Sequence, residues 1–261
     1  MPNKVAIIVP FRDLDEQERM KQLKKFVPYM YNFLDLANLE YNIFIIEQSN
    51  DGYKFNAGQT KNIGYDIAKK FNYDYYIFHD VDLLPNKDLM YGYKKYPDIP
   101  TGMAGMWEKY KYYPNGTRIP DFIGGIFSIS PDDFEAANGY PSNHWGWSKD
   151  DAILLYRLKK SGITVDVLEK GSLKEMKHKH GRSKREWENI LYSMLEKDDE
   201  ITWKYNGLYN LKYKILKIKK FLSKKCVKIT VKLSDTDGMA EINNNKLDIL
   251  KDYKNLSFEN N

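Results

Sequence analysis

The sequence predicts an α/β fold with a mostly parallel sheet. Three apolar runs typical of buried strands, residues 4–9, 41–49 and 73–82, are separated by two segments whose apolar residues recur at helical spacing. Strands joined through helices in this way lie parallel and are connected by right-handed crossovers. Ligands of such sheets bind beyond the carboxyl ends of the strands. We therefore expect residues 9–13 (VPFRD) and 79–82 (HDVD) to share one ligand site.

The first half of the chain supplies these elements in order. Strand 4–9 is expected to end at Pro10. A helix over 15–38 is expected to bend or split at Pro28, because proline has no backbone N–H to donate. Residues 55–71 predict a loop that leads into a second helix.

The second half carries shorter elements. We expect a short helix, a strand over 103–107 and then a strand over 123–129. Ser130 is typical of a helix N-cap, and Pro131 would occupy the first helical position. A further helix is predicted over 149–162.

The C-terminal third is less regular. Residues 163–232 are expected to hold a strand, a helix around 185–195 and a lysine-rich hairpin. The polar residues 233–261 predict a loosely ordered tail.

Composition limits the classes of function. The net charge of +5 is too small to indicate nucleic-acid binding. Nine lysines lie within residues 211–232, where they could contact anionic lipid or an acidic glycan, or form a solvated strand face. The single cysteine, Cys226, excludes an intramolecular disulfide and fits a reducing compartment. Because no stretch approaches about eighteen apolar residues, we expect a soluble or peripherally attached protein.

Asp80 and Asp82 are the first candidates for chemistry. On a strand, residues two apart project to the same side, so the two carboxylates could converge. At the end of a buried strand such charges favour a bound divalent cation, because unpaired buried charge is costly. The alternative is that the pair caps the turn that follows. His79, just before them, is expected either to pack in the core or to support a neighbouring ligand residue.

His178 and His180 form a second candidate metal-binding pair, also two residues apart. Imidazole together with carboxylate suits Mn²⁺, Fe²⁺ or Zn²⁺ better than Mg²⁺ or Ca²⁺. The surrounding lysines and arginines fit either a basic surface loop or a bound diphosphate. Considered with Asp80 and Asp82, the histidines favour a metal site.

Residues 138–158 could form an acceptor platform. Trp145 and Trp147 bracket a glycine, and Asp150 and Asp151 begin a helix. An indole face stacks on a sugar ring, while a carboxylate at its edge can accept a hydroxyl proton. The alternatives are core packing for the tryptophans and a favourable helix-dipole contact for the aspartates.

Eight sequence blocks occur in the order seen in the β-1,4-galactosyltransferase family, which the chain resembles over roughly residues 5–232. The block NGYPSNHWGWSKDD at 138–151 is highly specific. The other blocks are VPFRD, FNAGQTKNIGY, FHDVDLLP, WEKY, FIGGIFSIS, HKH and GLYNLKYKIL. The resemblance implies a GT-A, Rossmann-like single domain with a mixed, mostly parallel sheet and a C-terminal hairpin. It implies a nucleotide-binding half over 1–85 and an acceptor- and metal-binding half over 86–232.

The resemblance further implies an inverting, metal-dependent transfer of a sugar from a UDP-sugar, with roles for individual residues. The implied Mn²⁺ ligands are Asp82, His178 and His180. The implied donor site consists of Pro10, Phe11, Arg12, Asp13, Phe55, Asp80, Val81, Lys109, Gly125 and Trp147. Residues 10–13 and Phe55 would line the uridine pocket, Lys109 would contact the phosphates, and Gly125 and Trp147 would contact the donor sugar and acceptor.

The same resemblance implies one catalytic base. Ungapped alignment up to residues 157–158 places the base at Asp151, which would deprotonate the acceptor hydroxyl. Asp150, Trp145 and Phe122 would contact the acceptor. Mn²⁺ would neutralise the departing UDP.

Four positions depart from the family pattern. Ala152 replaces an acidic residue, Ser148 and Lys149 replace small residues, and Ala57 stands where the family often has arginine. Acceptor identity and part of the uridine contact are therefore open. We also expect the protein to lack the family's N-terminal membrane anchor, and the family's cysteines are not found in this sequence. We expect a cytoplasmic bacterial enzyme, located at the inner face of the membrane, that builds lipid-linked or capsular polysaccharide.

Three other functions remain open from the sequence. The donor could be UDP-GalNAc, although Phe122, close to the adjacent glycines Gly124 and Gly125, is expected to crowd an N-acetyl group and so favour galactose. The missing acid at Ala152 would fit a non-catalytic glycan-binding protein on a transferase fold. The third open function is that of a metal-dependent phosphohydrolase.

Overall fold

The computed structural model describes residues 3–13, 18–50, 52–104, 121–146, 149–177 and 202–234. The strands are β1 (Lys4–Phe11), β2 (Glu40–Gln48), β3 (Tyr75–His79), β4 (Leu83–Pro85), β5 (Thr101–Gly102), β6 (Ile126–Ile129), β7 (Asp166–Val167), β8 (Leu173–Glu175), β9 (Tyr213–Lys220) and β10 (Cys226–Leu233). The α-helices are α1 (Arg19–Leu36), α2 (Ala57–Ala68), α3 (Met90–Lys94), α4 (Pro131–Ala136) and α5 (Asp150–Lys160). Short 3₁₀ turns span Lys69–Phe71, Lys87–Leu89 and Thr202–Tyr205.

Eight strands form one sheet in the order β7-β5-β6-β3-β1-β2-β10-β9, and β4 pairs with β8 in a separate two-stranded sheet. β1 lies parallel to β2 and β3, and β10 lies parallel to β2. β6 and β9 run antiparallel to β3 and β10. The predicted fold class, a mixed and mostly parallel α/β sheet with a C-terminal hairpin, is confirmed.

Alternate side chains of β1 enter two apolar cores, one on each face of the sheet. Val5, Ile7 and Val9 belong to the core that contains the apolar stripe of α1. Ala6 and Ile8 belong to the core formed with α2, α4 and α5. Both faces of the central strands are therefore buried, which explains their nearly continuous apolar sequences.

β1 continues through Pro10, so the prediction that the strand ends there is wrong. Pro10 is paired with Ile46, and Phe11 with Glu47, in the parallel ladder with β2. The ladder with β3 stops earlier, at Ile8. Pro10 therefore lies where β1 has a neighbour on one side, and a missing N–H is tolerated at such an edge position.

α1 is one helix from Arg19 to Leu36, so the predicted split at Pro28 is wrong, while the alternative of a bend there stays a prediction. Leu23, Phe26 and Met30 are fully buried along its inner face, whereas Pro28 lies on the exposed side. Burial of that apolar stripe outweighs the hydrogen bond that proline removes.

Asp80 and Asp82 do not lie on a strand, because β3 ends at His79. The backbone turns at this point, and the Leu83 N–H donates to the Asp80 carbonyl at 3.3 Å. The two carboxylates therefore do not share one face of a strand, contrary to the prediction, and their placement follows from the turn.

The capping prediction for the helix after β6 is confirmed. The Ser130 hydroxyl accepts the Asp133 N–H at 3.2 Å, and Pro131 begins α4. β10 joins the sheet next to β2, so elements from both ends of the chain share one sheet. The domain boundary near 232 and the division at 85 stay predictions.

Several predictions fall outside the described residues. They are most of the strand expected over 103–107, the helix expected around 185–195 and nearly all of the tail over 233–261. Within the described ranges, none of the helices combines the length and apolar character needed to cross a membrane. Cys226 is buried at the start of β10, and burial raises the pKa of its thiol to about 12, as expected for an unreactive cysteine.

Candidate active site

The candidate site lies at the carboxyl ends of β1 and β3, where segments distant in sequence meet. The Asp80 N–H donates to the Gly125 carbonyl at 2.8 Å, which joins the turn after β3 to the segment before β6. Gly125 adopts a φ of 80°, a conformation that favours glycine. The first turn of α5 reaches the same place, because its Asp151 faces Gly124.

Lys61 of α2 lies beneath the start of α5 and is 5% exposed. Its ammonium donates to Asp150 Oδ2 at 2.9 Å and to Asp151 Oδ1 at 2.7 Å. The same ammonium lies 4.3 Å from the centroid of the Tyr140 ring. One buried cation thus binds both carboxylates that the sequence assigns to the acceptor side.

Lys61 was not among the predicted site residues, because the helical spacing of apolar residues in this segment indicates only one buried face. The helix is instead buried on almost every side. Gly58 and Gly64 carry the signal that could have revealed this. A Cβ at Gly58 would meet the Pro141 carbonyl, and one at Gly64 would meet Ile8, so α2 has close neighbours on two sides. A lysine within such a helix must be paired.

The carboxyl groups of the site have raised pKa values. Burial raises the pKa of Asp151 to about 6, with Asp150 adding to the shift and Lys61 opposing it. Burial raises the pKa of Asp80 to about 7, opposed by Lys61 and increased by the charges of Asp82, Asp151 and Asp150. Burial alone would lower the pKa of Lys61, but Asp150 and Asp151 raise it well above its ordinary value. Lys61 is therefore a permanent cation, while Asp151 and Asp80 titrate near neutral pH.

Asp82 is 6% exposed and lies where a metal ligand is expected. Its Oδ2 accepts a hydrogen bond from the Arg19 guanidinium at 2.8 Å, so this carboxylate forms an ion pair within the protein. The Met176 N–H donates to the Asp82 carbonyl at 2.7 Å, and Gln22 donates to the Lys177 carbonyl at 3.1 Å. The chain that leads into the HKH block thus passes directly beside Asp82.

The predicted metal ligands, Asp82, His178 and His180, are chemically suited to Mn²⁺, because a carboxylate and two imidazoles are suitable ligands for this ion. His178 and His180 lie outside the described residues, as do Lys109 and Trp147. Within the described ranges, no three His, Cys, Asp or Glu side chains form a cluster that could hold a metal. The two-histidine part of the ligand set stays a prediction.

The residues predicted for the uridine pocket meet at the end of β1. Pro10 and Phe11 are buried there, and the Arg12 guanidinium donates to the Tyr53 carbonyl. Asp13 instead accepts the Met20 N–H at 2.9 Å near the start of α1. The structure therefore gives Asp13 a local role in addition to the predicted one.

Phe55 and Trp145 belong to one loop system next to this pocket. The Gly146 N–H donates to the Phe55 carbonyl at 2.6 Å. The half-buried Trp145 ring lies 5.0 Å from the Tyr53 ring, centroid to centroid. Trp145 is thus neither fully in the core nor free in solvent, which leaves its predicted acceptor role untested.

Gly124 separates Phe122 from the carboxylate of Asp151. A Cβ at this position would lie 2.8 Å from Phe122 Cζ and 3.2 Å from Asp151 Oδ2. The missing side chain therefore maintains a narrow space between the half-buried Phe122 ring and Asp151.

His79 packs in the core, as predicted. Its ring lies 5.0 Å from that of Phe26 and 6.1 Å from that of Tyr93. Burial lowers the pKa of His79 to about 4, so the imidazole is neutral at physiological pH. Its Nδ1 lies 2.8 Å from the Asp80 carbonyl, which helps to fix the turn.

Two family profiles match the chain along most of its length. One, described as the N-terminal region of glycosyl transferase group 7, matches residues 1–94, and another, described as the N-terminal domain of galactosyltransferase, matches residues 107–179. The β-1,4-galactosyltransferase 7 of Drosophila melanogaster is 34% identical over 232 residues, which cover 84% of this chain and 66% of that relative. The chain belongs to the β-1,4-galactosyltransferase family.

Solved structures agree with membership of the β-1,4-galactosyltransferase family. A mutant of Drosophila β-1,4-galactosyltransferase 7, in complex with manganese, UDP-Gal and xylobiose, superposes with a TM-score of 0.69. It is 31% identical, and the match covers 89% of this chain and 94% of that one. The S. aureus protein TarS, at 13% identity and a TM-score of 0.50, shares the fold, which is GT-A. The chain spans just under two thirds of the full-length Drosophila relative.

Proposed function

We propose that this protein is an inverting glycosyltransferase that moves a sugar from a UDP-sugar to a glycan hydroxyl in a Mn²⁺-dependent reaction. Family membership supports the reaction class, since the Drosophila relative is a galactosyltransferase. The observation that carries the proposal is the cluster in which Asp150 and Asp151 meet buried Lys61 next to Gly124. This cluster lies at the sheet edge that also holds Asp80 and Asp82.

Asp151 is the general base of the proposed reaction. Its pKa of about 6 leaves the carboxylate ionised at neutral pH but basic enough to take a proton from a sugar hydroxyl. The acceptor oxygen attacks the anomeric carbon as the bond to UDP breaks. Because this single displacement forms no covalent enzyme intermediate, one carboxylate suffices.

Asp82, His178 and His180 are the proposed metal ligands. When bound, Mn²⁺ supplies positive charge that neutralises the diphosphate leaving group. Arg19 holds the Asp82 carboxylate in place, and β8 brings the preceding residues Met176 and Lys177 beside it.

We propose UDP-galactose as the donor and a β-1,4 linkage as the product. Phe122 supports the choice of galactose, because its ring lies against Gly124, where we propose that it crowds an N-acetyl group. Comparison of transfer rates from UDP-galactose and UDP-GalNAc tests this assignment. Faster transfer from UDP-GalNAc would contradict it.

The acceptor is proposed to be a glycan or a lipid-linked saccharide used in bacterial surface polysaccharide synthesis. The relative crystallised with xylobiose supports a saccharide acceptor. Simple xylosides and other free glycosides are therefore the first acceptors to test.

The decisive experiment is a donor screen. Purified protein is incubated with each UDP-sugar, Mn²⁺ and a panel of glycosides, and released UDP is measured. We expect acceptor-stimulated UDP release that disappears with EDTA. Binding of UDP without turnover on any donor would favour a non-catalytic glycan-binding protein, and phosphate release from simple esters would favour a phosphohydrolase.

We also propose that the protein is cytoplasmic and contacts anionic phospholipid through the β9–β10 hairpin. Exposed lysines on the hairpin support this, as does Leu222 at its tip, which is 61% exposed with a φ of 57°. The exposed lysines are Lys214, Lys217, Lys219, Lys220, Lys224 and Lys232. Lys225 and Lys228 differ, because they form ion pairs with Asp35 and Glu47.

Vesicle flotation tests the lipid proposal. Reversal of Lys219, Lys220 and Lys224 to glutamate should abolish binding to phosphatidylglycerol vesicles at low salt. The matched control reverses Lys24, Lys25 and Lys87, which are also exposed, and should retain binding. Equal binding of wild type to neutral and anionic vesicles, or equal loss in both triple variants, would overturn the proposal.

A further inference from the structure

Lys61 is a lysine that the fold has placed inside the protein at considerable cost. A lone buried ammonium is strongly disfavoured, and Lys61 is accommodated by two carboxylates and the face of Tyr140. Buried ion clusters of this kind are often no more stabilising than apolar side chains of the same size. The location of the cluster, under the proposed catalytic base, therefore favours a role in the reaction over a role in stability.

The two oxygens of Asp151 have different surroundings. Oδ1 accepts the hydrogen bond from Lys61 at 2.7 Å. Oδ2 points toward Gly124, where a Cβ would be only 3.2 Å away. The glycine thus leaves space in front of Oδ2, while the lysine occupies Oδ1.

We propose that Lys61 is a positioning residue for Asp151. It holds the carboxylate by Oδ1, maintains its ionised form and presents Oδ2 to the acceptor hydroxyl. In the step that follows, the acceptor O–H bond breaks and its proton moves to Oδ2. The acceptor oxygen then forms the new bond to the anomeric carbon, and the electron pair of the old bond leaves with UDP. This inference rests on the proposed function, in which Asp151 is the base.

Several charged or titratable groups face Asp151 besides Lys61. Asp150 approaches from α5, Lys149 and Tyr140 from the segment before α5, and Asp80 from the turn after β3. The acidic groups disfavour an ionised Asp151, and Lys61 lies within hydrogen-bonding distance to offset them. Loss of the Lys61 charge should therefore move the titration of Asp151 to higher pH.

The test is the pH profile of kcat at saturating Mn²⁺ and donor for Lys61→Met, which keeps the length of the side chain and removes its charge. We expect the acidic limb to move up by about one to three pH units, the usual effect of removing an adjacent opposite charge. A shift of about two units corresponds to a loss of about tenfold in kcat at pH 7, with most of the rate recovered at about pH 9. Lys61→Arg, which keeps the charge, should leave the limb close to that of wild type.

Lys69→Met is the matched control. Lys69 follows α2 and forms an ion pair with Glu135 on the surface, so its loss removes one cation without touching the site. Its pH profile should be that of wild type. An acidic limb of Lys61→Met that coincides with wild type, in a protein that remains folded by circular dichroism, would overturn the inference.

A second pair of variants covers the case in which Lys61→Met does not fold. Asp150→Asn and the double variant Asp150→Asn/Lys61→Met differ by the same lysine, but in the double variant only one of the two carboxylates that Lys61 pairs with, that of Asp151, remains. The acidic limb of the double variant should again lie above that of Asp150→Asn. If Asp151→Asn retains full activity, the proposed base is wrong. The other outcome is that Asp151→Asn is inactive while the acidic limb of Lys61→Met coincides with that of wild type and the limb of the double variant coincides with that of Asp150→Asn. In that case only the role of Lys61 is wrong.

Discussion

The surroundings of Asp80 disfavour the ionised form of its carboxyl group. Burial is the largest cause, and the nearby carboxylates of Asp82, Asp151 and Asp150 add to it, so that its pKa is about 7. Bringing several carboxylates together is unfavourable for the protein by itself. Such an arrangement is typical of a site that binds a cation or transfers protons.

The Asp80→Asn variant should be more stable than wild type at alkaline pH when no metal is present. The pKa of Asp80 is higher in the folded protein than its ordinary value of 3.8, so its contribution to folding is complete at low pH and is lost as pH rises through about 7. Asparagine imitates the neutral form at every pH. Thermal unfolding in EDTA should show a large rise in melting temperature for the variant at about pH 8.5, a smaller rise at about pH 5, and none below the ordinary pKa of 3.8. Asp98→Asn, at an exposed position, is the control and should leave the melting temperature unchanged at each pH.

Asp151→Asn should abolish sugar transfer, because the amide cannot accept the hydroxyl proton. General bases contribute about 10²- to 10⁴-fold, and a loss of that size in kcat is expected. UDP and Mn²⁺ affinities, measured by calorimetry, should stay within a few-fold of wild type. Near-normal kcat would show that another group takes the proton.

Gly124→Ala should impair transfer more than donor binding. The added methyl group would press on Phe122 Cζ at 2.8 Å and on Asp151 Oδ2 at 3.2 Å, and so fill the space proposed for the acceptor hydroxyl. A fall in kcat of about tenfold or more is expected, since small displacements at reacting atoms have effects of this size. Unchanged kcat would place the acceptor elsewhere.

At the scale of elements, apolar runs predicted which segments are strands but not where the strands end. β1 continues past Pro10 because β2 still pairs with it after the ladder with β3 has stopped. The apolar pattern of one segment does not show which strands will lie beside it. β3 ends before Asp80 for a related reason, since its antiparallel partner β6 begins at Ile126. Lys61 was missed in the same way, because its pairing depends on α5, which follows much later in the chain.

Pro28→Ala should stabilise the protein. α1 passes through Pro28 without interruption, and an interior proline costs about 3 kcal/mol relative to alanine. Part of that gain is lost because alanine gives the unfolded chain more freedom, so we expect the free energy of unfolding to rise by about 1–2 kcal/mol. Lys25→Ala, at another exposed position of α1, should change it by less than about 0.5 kcal/mol. Urea denaturation measures both, and a destabilised Pro28→Ala would mean that the proline favours the observed path of the helix.

At the scale of the whole molecule, residues from both halves of the chain form the sheet and the site. Lys61 comes from the first half, Asp150 and Asp151 come from the second, and the segment before His178 contacts Asp82. The family resemblance predicted which residues belong to the site. It could not supply the hydrogen bonds among them, such as those of Lys61 with Asp150 and Asp151, because they depend on how distant segments pack.

The position of β10 has a consequence for how the protein is made. β2 has β1 on one side, and its other side is covered by a strand that the ribosome synthesises near the end of the described chain. Until residues 226–233 emerge, the nascent polypeptide exposes an unpaired, apolar strand edge of the kind that templates aggregation. The N-terminal half can pair its own strands β1, β2 and β3, but one edge of β2 stays open. We therefore expect this half to depend on chaperones during translation.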